Sequence, residues 1–433
     1  MGFVETAAAK FKSVISPELF RSRSFWAAVS GLAKSPIGRP GSPAEAAALR
    51  HAVQATRDAF LARGPVAWAS LLLPSELILG AGANAFYPEI AAAVIATAGL
   101  AERFLERAAA DGFSADLCSF HRVILGASSE GFLPRPDFLV STSCPCDSAP
   151  LSFSCLAGLY GAEYLAVDVP MNDPLAADTD LLAVQLEEIF ARVSGPVGGG
   201  MDGMRTAIEL SNEAGQYARQ VEELRRGTPC PMSGWDALGQ LAVVYSMPGT
   251  KACVDFYRRL ASELGDGSNS RAPANQEHRL LWMHIKPYFP TDLPDLLEEK
   301  GAVIVAEEYS RWFWQEMDPD RPFESLARKI LSHPSVGPAA RRAESMVRLA
   351  RDYRVDGAVH FSHRGCRQSG GCARQVRDEL TAAGIRTLIL DGECLDSREH
   401  NEGQTRTRLE AFLESLHADG AGGRDDGSRR GAA

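Results

Sequence analysis

The segment PDFLVSTSCPCDSAPLSFSCLAGLYGAEYLAVDVP, residues 136–170, decides the fold of this chain. It begins with the apolar run PDFLVSTS (136–143) and ends with a second run, AEYLAVDVP (162–170), and the segment between them has the length of a helix. Short apolar runs with β-branched residues are typical of strands buried on both faces. Two such runs separated by a helix predict a β-α-β unit, and therefore an α/β fold with a parallel sheet.

The same alternation of strand and helix continues on both sides of this segment. Upstream lies the run VAWASLLL (66–73), and downstream lies a long helical region, about 182–264. A second set of strand candidates follows that region: RLLWMHI (279–285), AVIVAEEY (302–309), GAVHFS (357–362) and IRTLILD (385–391). The pattern predicts two Rossmann/flavodoxin-like parallel-sheet domains, with an N-terminal helical segment and bridging helices.

A chain of 433 residues is too long for one ordinary core and suggests two or three units. The Ala-rich N-terminus favours helix, and the polar, Gly-rich C-terminus lacks apolar residues that would anchor it. We therefore expect five parts: an N-terminal helical segment (1–63), a first α/β domain (64–205), bridging helices (206–275), a second α/β domain (276–417) and a disordered tail (418–433).

Charge and hydropathy exclude several classes of protein. The formal net charge of -10 argues against nucleic acid as a partner, because nucleic-acid affinity comes largely from Lys and Arg side chains that neutralise phosphates. The apolar stretches are too short or too rich in Ala to span a bilayer, and the N-terminus lacks the apolar core of a signal peptide. We expect a cytoplasmic protein that does not bind membranes.

Nine cysteines are the residues that most strongly indicate chemistry. Thiols of cytosolic proteins stay reduced, so metal binding, redox chemistry or simple burial remain, and simple burial is the interpretation for Cys155, Cys230 and Cys253. Ligands of parallel sheets bind where loops converge at the carboxyl ends of strands. Four cysteines lie near such ends: Cys144, Cys146, Cys366 and Cys394. A fifth, Cys118, lies at the start of a predicted helical segment.

Cysteines from two domains would form one site if the two strand ends faced each other. Soft thiolates favour an iron–sulfur cluster, zinc or Cu(I). No CxxC pair indicates zinc or a ferredoxin cluster, and three thiolates without a nearby fourth fit a cluster with one open iron better than a closed zinc site. His360 and His363 flank a predicted strand end, where they would either bind substrate or serve a structural role.

Seven segments, in order over roughly residues 66–416, resemble the 2-hydroxyacyl-CoA dehydratase family, which includes subunits of the ATP-dependent benzoyl-CoA reductases. They include LPSELILGAGANAFYPE (73–89), LCSFHRVILG (117–126), PDFLVSTSCPCDSAP (136–150), HFSHRGCRQS (360–369) and DGECLDSREHNEGQTRTRLEAFLESL (391–416). No single segment is decisive, but seven in the right order are specific.

The resemblance implies a [4Fe–4S] cluster bound by Cys118, Cys146 and Cys366. Cys146 is preferred to Cys144 because the second ligand of the family resembles the Cys of a Cys-Asp pair, here Cys146 and Asp147. Cys144, Cys372 and Cys394 are additional thiols that would either replace a ligand or enlarge the cluster. Glu76, just past an apolar run in a family-like segment, is the candidate acid or base, with an ordinary helix-cap role as the alternative.

The implied activity is removal of water from a 2-hydroxyacyl-CoA by a ketyl-radical mechanism after ATP-driven one-electron activation. The β-hydrogen of such a substrate is not acidic and its hydroxyl is a poor leaving group, so a base alone would fail. The sequence has no phosphate-binding loop, which implies a separate ATP-dependent activator protein. A homologous second subunit, or a second copy of the chain, completes the expected complex.

Two other functions are compatible with the same sequence. One is a subunit of the benzoyl-CoA reductase type, in which the electrons stay in an aromatic or enoyl-CoA product. The other is a non-catalytic partner subunit that contributes a cluster or only a scaffold. Sequence does not separate the dehydratase from the reductase, because the two share the fold and the cluster and differ in the fate of the electrons.

Overall fold

The computed structural model describes residues 16–32, 42–171, 176–267 and 275–420. Their strands form two four-stranded parallel sheets. The first sheet contains β1 (Val66–Ala69), β2 (Asn84–Phe86), β3 (Phe138–Thr142) and β4 (Glu163–Val167), and the second contains β5 (His278–Met283), β6 (Ala302–Glu307), β7 (Gly357–His363) and β8 (Arg386–Gly392).

The two sheets have the same topology. The first has the order β2-β1-β3-β4 and the second the order β6-β5-β7-β8, and all neighbouring strands are parallel. In each sheet the second strand in sequence is therefore an edge strand beside the first. The predicted α/β fold with two parallel-sheet units is confirmed.

The start of the first sheet differs from the prediction in two ways. Strand β1 ends at Ala69 and does not continue through Leu73, because a turn and Pro74 lead directly into a helix that begins at Ser75. Proline cannot donate a hydrogen bond within a sheet. Strand β2 has three residues, which is too short for its periodicity to be read from the sequence.

Helices cover both sheets and connect them. Those that precede or accompany the first sheet are α1 (Pro17–Phe20), α2 (Arg23–Leu32), α3 (Pro43–Phe60), α4 (Ser75–Gly80), α5 (Pro88–Thr97), α6 (Ala101–Ala110), α7 (Ser119–Ser129) and α8 (Ser148–Tyr160). The connecting helices are α9 (Ala176–Val197), α10 (Met201–Arg225), α11 (Gly234–Gly239), α12 (Leu241–Ser246) and α13 (Lys251–Gly265). The second sheet is accompanied by α14 (Leu293–Glu299), α15 (Pro322–Ser332), α16 (Ala339–Asp352), α17 (Arg367–Ala382) and α18 (Glu402–Gly420).

Both termini contain helix where the structure describes them. Helix α3 begins at Ser42, whose hydroxyl accepts a hydrogen bond from the backbone N–H of Glu45 at 3.2 Å. Within the predicted N-terminal helical segment, residues 1–15 and 33–41 lie outside the described part. Helix α18 runs to Gly420, so three residues of the segment expected to be disordered are helical, and residues 421–433 lie outside the described part.

Buried ion pairs join the connecting helices and both sheet regions. Arg225 at the end of α10 pairs with Glu307 at the end of β6, and both side chains are at most 5% exposed. Lys329 of α15 lies 2.8 Å from Glu76 of α4 and so links the second region to the first. A buried charge without its partner is costly, so these pairs fix how the helices lie against the sheets. Among the described residues, no helix is long and apolar enough to cross a membrane.

Candidate functional site

Three cysteines occupy equivalent local positions, each at the start of a helix. Cys118 is the residue before α7, Cys366 is the residue before α17, and Cys146 precedes Asp147, which in turn precedes α8. The backbone N–H groups of a helical first turn have no partner within the helix and carry a partial positive charge. Each thiol therefore lies where a thiolate is favoured.

The three thiols also lie close to one another. A side chain at Gly365 would bring its Cβ to 2.5 Å from the Cα of Cys118, so the turn before Cys366 contacts the start of α7. Burial raises the pKa of the Cys118 thiol well above its usual value, and the charges of Cys146 and Cys366 raise it further. Burial and the charge of Cys366 raise the pKa of Cys146 to about 12. His121, in the first turn of α7, contacts Cys146 as well, so the three thiols lie in one region of the structure.

Backbone N–H groups favour the thiolate form of Cys366. The N–H of Ser369 donates to the Sγ of Cys366 at 3.4 Å. Burial raises the pKa of Cys366, while the N–H groups of Ser369 and Gln368 lower it. The site thus contains one buried thiol, Cys118, and two half-buried thiols, Cys146 and Cys366, each at a helix N-terminus, which is an environment for a positively charged group that binds thiolates.

The other thiols of the region have different surroundings. The Sγ of Cys144 lies 3.9 Å from the carbonyl oxygen of Ser335, and burial, not a neighbouring thiolate, raises its pKa to about 11. Cys372 accepts a hydrogen bond from Arg342 at 2.8 Å. Cys394 is fully buried, and burial raises its pKa, as do the charges of Glu393, Cys118 and Cys366. Cys394 is therefore the additional thiol that lies near the three.

Two histidines contact two of these cysteines. The Nε2 atom of His121 lies 3.4 Å from the Sγ of Cys146, and the Nε2 atom of His363 lies 3.4 Å from the Sγ of Cys118. Burial lowers the pKa of both imidazoles, that of His121 to about 4. The sequence analysis named His363 as a possible substrate ligand but gave no role to His121, since the contact of His121 is with a distant part of the chain.

Glu76 lies in a buried ion pair. Its Oε1 accepts hydrogen bonds from Nζ of Lys329 at 2.8 Å and from Oγ of Ser211 at 2.6 Å, and the side chain is fully buried. These contacts join α4 to α10 and α15. A catalytic role for Glu76 stays a prediction, and its described contacts are those of a carboxylate that holds elements together.

Glu89 is a carboxylate that the sequence analysis did not name. It lies in the first turn of α5, just past β2, and is 8% exposed. Its Oε1 accepts the N–H of Leu71 at 3.3 Å, and its Oε2 has no hydrogen-bond partner among the described residues. Burial raises the pKa of Glu89 to about 7, and its charge contributes to the raised pKa of Cys146. A buried carboxyl with a free oxygen near the thiols is a candidate acid or base.

A cleft begins beside Glu89. Leu71, whose N–H is bonded to Glu89, is part of its wall, and the cleft is small, with a volume of about 20 Å³. Most of the wall is aliphatic or aromatic: Leu71, Leu72, Leu73, Pro74, Val244, Tyr245, Phe313, Trp314, Lys329, Ile330 and His333. Nζ of Lys329 is bonded to Glu76 and lies 3.7 Å from the ring centroid of Trp314, so its charge is already compensated.

Within the described ranges, no group of three or more His, Cys, Asp or Glu side chains is placed to hold a single metal ion. The three cysteines lie in one region without forming such a group, since Gly365 lies against Cys118 and His121 of the same helix start contacts Cys146. The structure therefore places the predicted site residues Cys118, Cys146 and Cys366 together, and it does not bring Glu76 into hydrogen-bond contact with them.

Comparison with known proteins gives a consistent assignment. Residues 71–416 match the family described as 2-hydroxyglutaryl-CoA dehydratase, D-component. The chain is similar to the (R)-phenyllactyl-CoA dehydratase alpha subunit of Clostridium sporogenes, with 25% identity over 82% of this chain and 90% of that protein. It is 23% identical to the (R)-2-hydroxyisocaproyl-CoA dehydratase alpha subunit of Clostridioides difficile, over 81% and 90% of the two chains.

A weaker similarity extends to the second type of subunit. The (R)-phenyllactyl-CoA dehydratase beta subunit of Clostridium sporogenes is 25% identical over 132 residues, which cover 29% of this chain and 34% of that protein. The alpha and beta subunits are thus both similar to this chain, and the alpha subunits over most of its length.

Proposed function

From the premise that the chain belongs to the 2-hydroxyglutaryl-CoA dehydratase D-component family, we propose that it is the iron–sulfur subunit of a 2-hydroxyacyl-CoA dehydratase. The reaction takes a proton from the β-carbon of the acyl group and releases the α-hydroxyl as water. The observation that carries the proposal is the group of three thiols at helix N-termini, one buried and two half-buried, near a buried carboxyl and a small apolar cleft.

Cys118, Cys146 and Cys366 would hold a [4Fe–4S] cluster. A cubane cluster binds each thiolate through a different iron, so its ligands lie farther apart than the ligands of one metal ion. This requirement fits three thiols that lie in one region but, among the described residues, do not form a single-ion site. Three protein thiolates leave one iron without a protein ligand, and the cluster, when bound, supplies single electrons at low potential.

Glu89 is the residue that we propose to move protons. Elimination of water needs a base for the β-proton and an acid for the departing hydroxyl. A carboxyl with a pKa of about 7 is partly protonated near neutral pH, so the Oε2 of Glu89 can give its proton to the departing hydroxyl and then take the β-proton, which restores its starting state. Its position in the first turn of α5 and the N–H of Leu71 hold the other oxygen in place.

The apolar cleft beside Glu89 would open to take up the acyl group, since its volume of about 20 Å³ holds little more than one water. Its wall is aliphatic and aromatic, and the charge of Lys329 is compensated by Glu76, so the wall offers no free cation for a second carboxylate. Burying an unpaired carboxylate there would be costly. We therefore expect a bulky, uncharged 2-hydroxyacyl-CoA, as in the names of the phenyllactyl and hydroxyisocaproyl relatives, to react better than 2-hydroxyglutaryl-CoA.

Two partners complete the proposed system. Because the chain is similar to alpha subunits over most of its length and to a beta subunit over part of it, we propose that it works with a homologous second subunit. The ATP-driven one-electron activation belongs to a separate activator protein, since the sequence has no G-x-x-x-x-G-K-[ST] loop to bind ATP phosphates.

Anaerobic reconstitution with iron and sulfide tests the cluster. The full-length chain should bind about four irons with the absorbance of a cubane, and Cys118→Ser, Cys146→Ser and Cys366→Ser should each lose most of that iron. Cys144→Ser is the matched control, because Cys144 lies two residues from Cys146 but contacts Ser335. Iron binding that is absent in the wild type, or unchanged in all three variants, contradicts the proposal.

Product analysis tests the reaction. With second subunit, activator, ATP and a 2-hydroxyacyl-CoA, the product should be enoyl-CoA, formed without net consumption of electrons. Electron consumption in proportion to product would instead identify a reductase. A preference for 2-hydroxyglutaryl-CoA over 2-hydroxyisocaproyl-CoA would contradict the apolar cleft as the acyl site.

A further inference from the structure

Each of the two cysteine–histidine contacts crosses between parts of the chain. His121 lies three residues after Cys118 but contacts Cys146, and His363 lies three residues before Cys366 but contacts Cys118. Both contacts use Nε2, both are 3.4 Å long, and both imidazoles are about 2% exposed. Neither contact follows from local sequence, because each one joins a helix or strand end to a different loop.

Polar groups hold the other side of each ring. The Nδ1 of His121 lies 2.7 Å from the hydroxyl of Ser152, a residue of α8. The Nδ1 of His363 lies 3.4 Å from the Oε1 of Glu393. That oxygen is fixed by Oγ of Ser119 at 2.5 Å and by the backbone N–H of Cys394 at 2.7 Å. The hydroxyl of Ser152 therefore bonds to the ring of His121, whereas the Nδ1 of His363 faces Glu393 but has no hydrogen-bond partner among the described residues, which is compatible with a ring protonated at Nε2.

The state of the sulfur decides the direction of these hydrogen bonds. A cysteine that binds a cluster is a thiolate, which accepts hydrogen bonds and donates none. Each imidazole must then present an Nε2–H to its sulfur. The Oγ of Ser152 lies 2.7 Å from both the Nδ1 of His121 and the carbonyl oxygen of Ser148, so the Nε2–H form of His121 requires the hydroxyl to turn its one proton from that carbonyl to Nδ1.

We propose that His121 and His363 are positioning residues whose Nε2–H groups donate to the thiolates of Cys146 and Cys118 and raise the reduction potential of the cluster. The inference rests on the proposed function, since it requires these cysteines to bind the cluster. A hydrogen bond to a ligand sulfur is stronger when the cluster carries an additional electron, so it stabilises the reduced form. Removing the donor should shift the midpoint potential to a more negative value.

Redox titration monitored by electron paramagnetic resonance measures this shift on the anaerobically reconstituted full-length chain. His121→Leu and His363→Leu should each bind iron as the wild type does and show a more negative midpoint potential. His121→Gln and His363→Gln, which keep an N–H near the position of Nε2, should restore most of the wild-type value. Because the two rings contact different sulfurs, the shifts of the double Leu variant should approximately add.

His400→Leu is the control, because the ring of His400 packs against Phe289 and contacts no thiol. Its potential should equal that of the wild type. A circular dichroism spectrum and the iron content identify variants that fail to fold. If a Leu variant does not fold, the midpoint potential of the corresponding Gln variant is compared with that of the wild type instead.

Each remaining outcome also decides the inference. A loaded Leu variant with an unchanged potential overturns it and leaves the proposed function intact. Loss of iron from a folded Leu variant would make that histidine a ligand, which also overturns it. A wild-type chain that binds no iron overturns the proposed function itself, and the inference with it.

Discussion

Glu89 and Glu308 stand at corresponding places in the two sheet regions. Each follows the edge strand of its sheet, Glu89 after β2 and Glu308 after β6, and both are buried. Arg342 donates to both oxygens of Glu308, at 2.6 and 2.7 Å. Burial alone would raise the pKa of Glu308, but Arg342 lowers it below its usual value. Glu89 has no cationic partner among the described residues, and burial raises its pKa to about 7.

The two carboxylates therefore differ in role: Glu308 is structural, and Glu89 is a candidate for proton transfer. At Glu308 the charge is neutralised and both oxygens have donors, so the residue fixes β6 against α16. At Glu89 one oxygen has no donor, and the carboxyl can change its protonation state near neutral pH. The same position in a repeated topology thus serves as a structural ion pair in one sheet and as a candidate acid or base in the other.

The largest expected effect is on catalysis, at Glu89. Glu89→Gln keeps the shape of the side chain but removes the proton that it exchanges. We expect the dehydration rate of the reconstituted complex to fall by about 10²- to 10⁴-fold, the usual contribution of a general acid or base. The measurement is the steady-state rate at saturating substrate, on protein with wild-type iron content. A rate within about twofold of wild type would remove Glu89 from the reaction.

The next effect is on stability, at Glu308. Arg342→Met leaves the Glu308 carboxylate buried without its cation, and this should lower the free energy of unfolding by about 3–5 kcal/mol. Urea denaturation of the cluster-free protein measures the change. The double variant Arg342→Met with Glu308→Gln removes both charges and should recover much of the loss. A double variant as unstable as Arg342→Met would mean that packing, not charge, is responsible.

The pH dependence of stability should distinguish the two carboxylates further. Folding raises the pKa of Glu89, so the folded state holds its proton while pH rises from about 4.5 to about 7, and the wild type loses stability over this window. Glu89→Gln does not titrate. In the cluster-free protein, the free energy of unfolding of Glu89→Gln should equal that of the wild type near pH 4.5. Above pH 7 it should exceed the wild-type value by roughly 3 kcal/mol. If the difference in free energy of unfolding stayed constant between pH 4.5 and pH 7, it would contradict the raised pKa of Glu89.

The smallest effect concerns the contact that joins the two sheet regions at the thiols. Gly365→Ala would place its Cβ 2.5 Å from the Cα of Cys118, so the two loops must separate. We expect a loss of about 1–3 kcal/mol in stability and a lower iron content after reconstitution. Gly371→Ala is the control, since no atom lies within 4 Å of its added Cβ. Equal iron content in both variants would show that the loops can separate without loss of the site.

Much of the fold could be predicted because its signals are local. The apolar runs at 136–143 and 357–362 mark buried strands whether or not their partners are known, and Cys146 and Cys366 follow those strands in turns that begin helices. The three-residue strand β2 was missed, since a run that short has no periodicity. The cysteine ligands themselves came from resemblance, and their binding of a cluster stays a proposal.

The carboxylates show where sequence reasoning stopped. Glu76 and Glu89 both lie near the start of a short helix in one family-like segment, and in sequence they are equivalent candidates. Only the fold brings Lys329 and Ser211 to Glu76 and leaves an oxygen of Glu89 without a donor. The contact of His121 with Cys146 was equally hidden, because it joins two separate loops.

The sequence by itself determined the α/β class, the two sets of strands and the placement of thiols at strand ends and helix starts. These properties depend on hydrophobic periodicity and turn chemistry, which act over a few neighbouring residues. The tertiary structure alone decided which thiols meet, which histidines face them and which carboxylate keeps a pKa near neutrality. Those properties depend on burial and on charges from distant residues, which no local pattern contains.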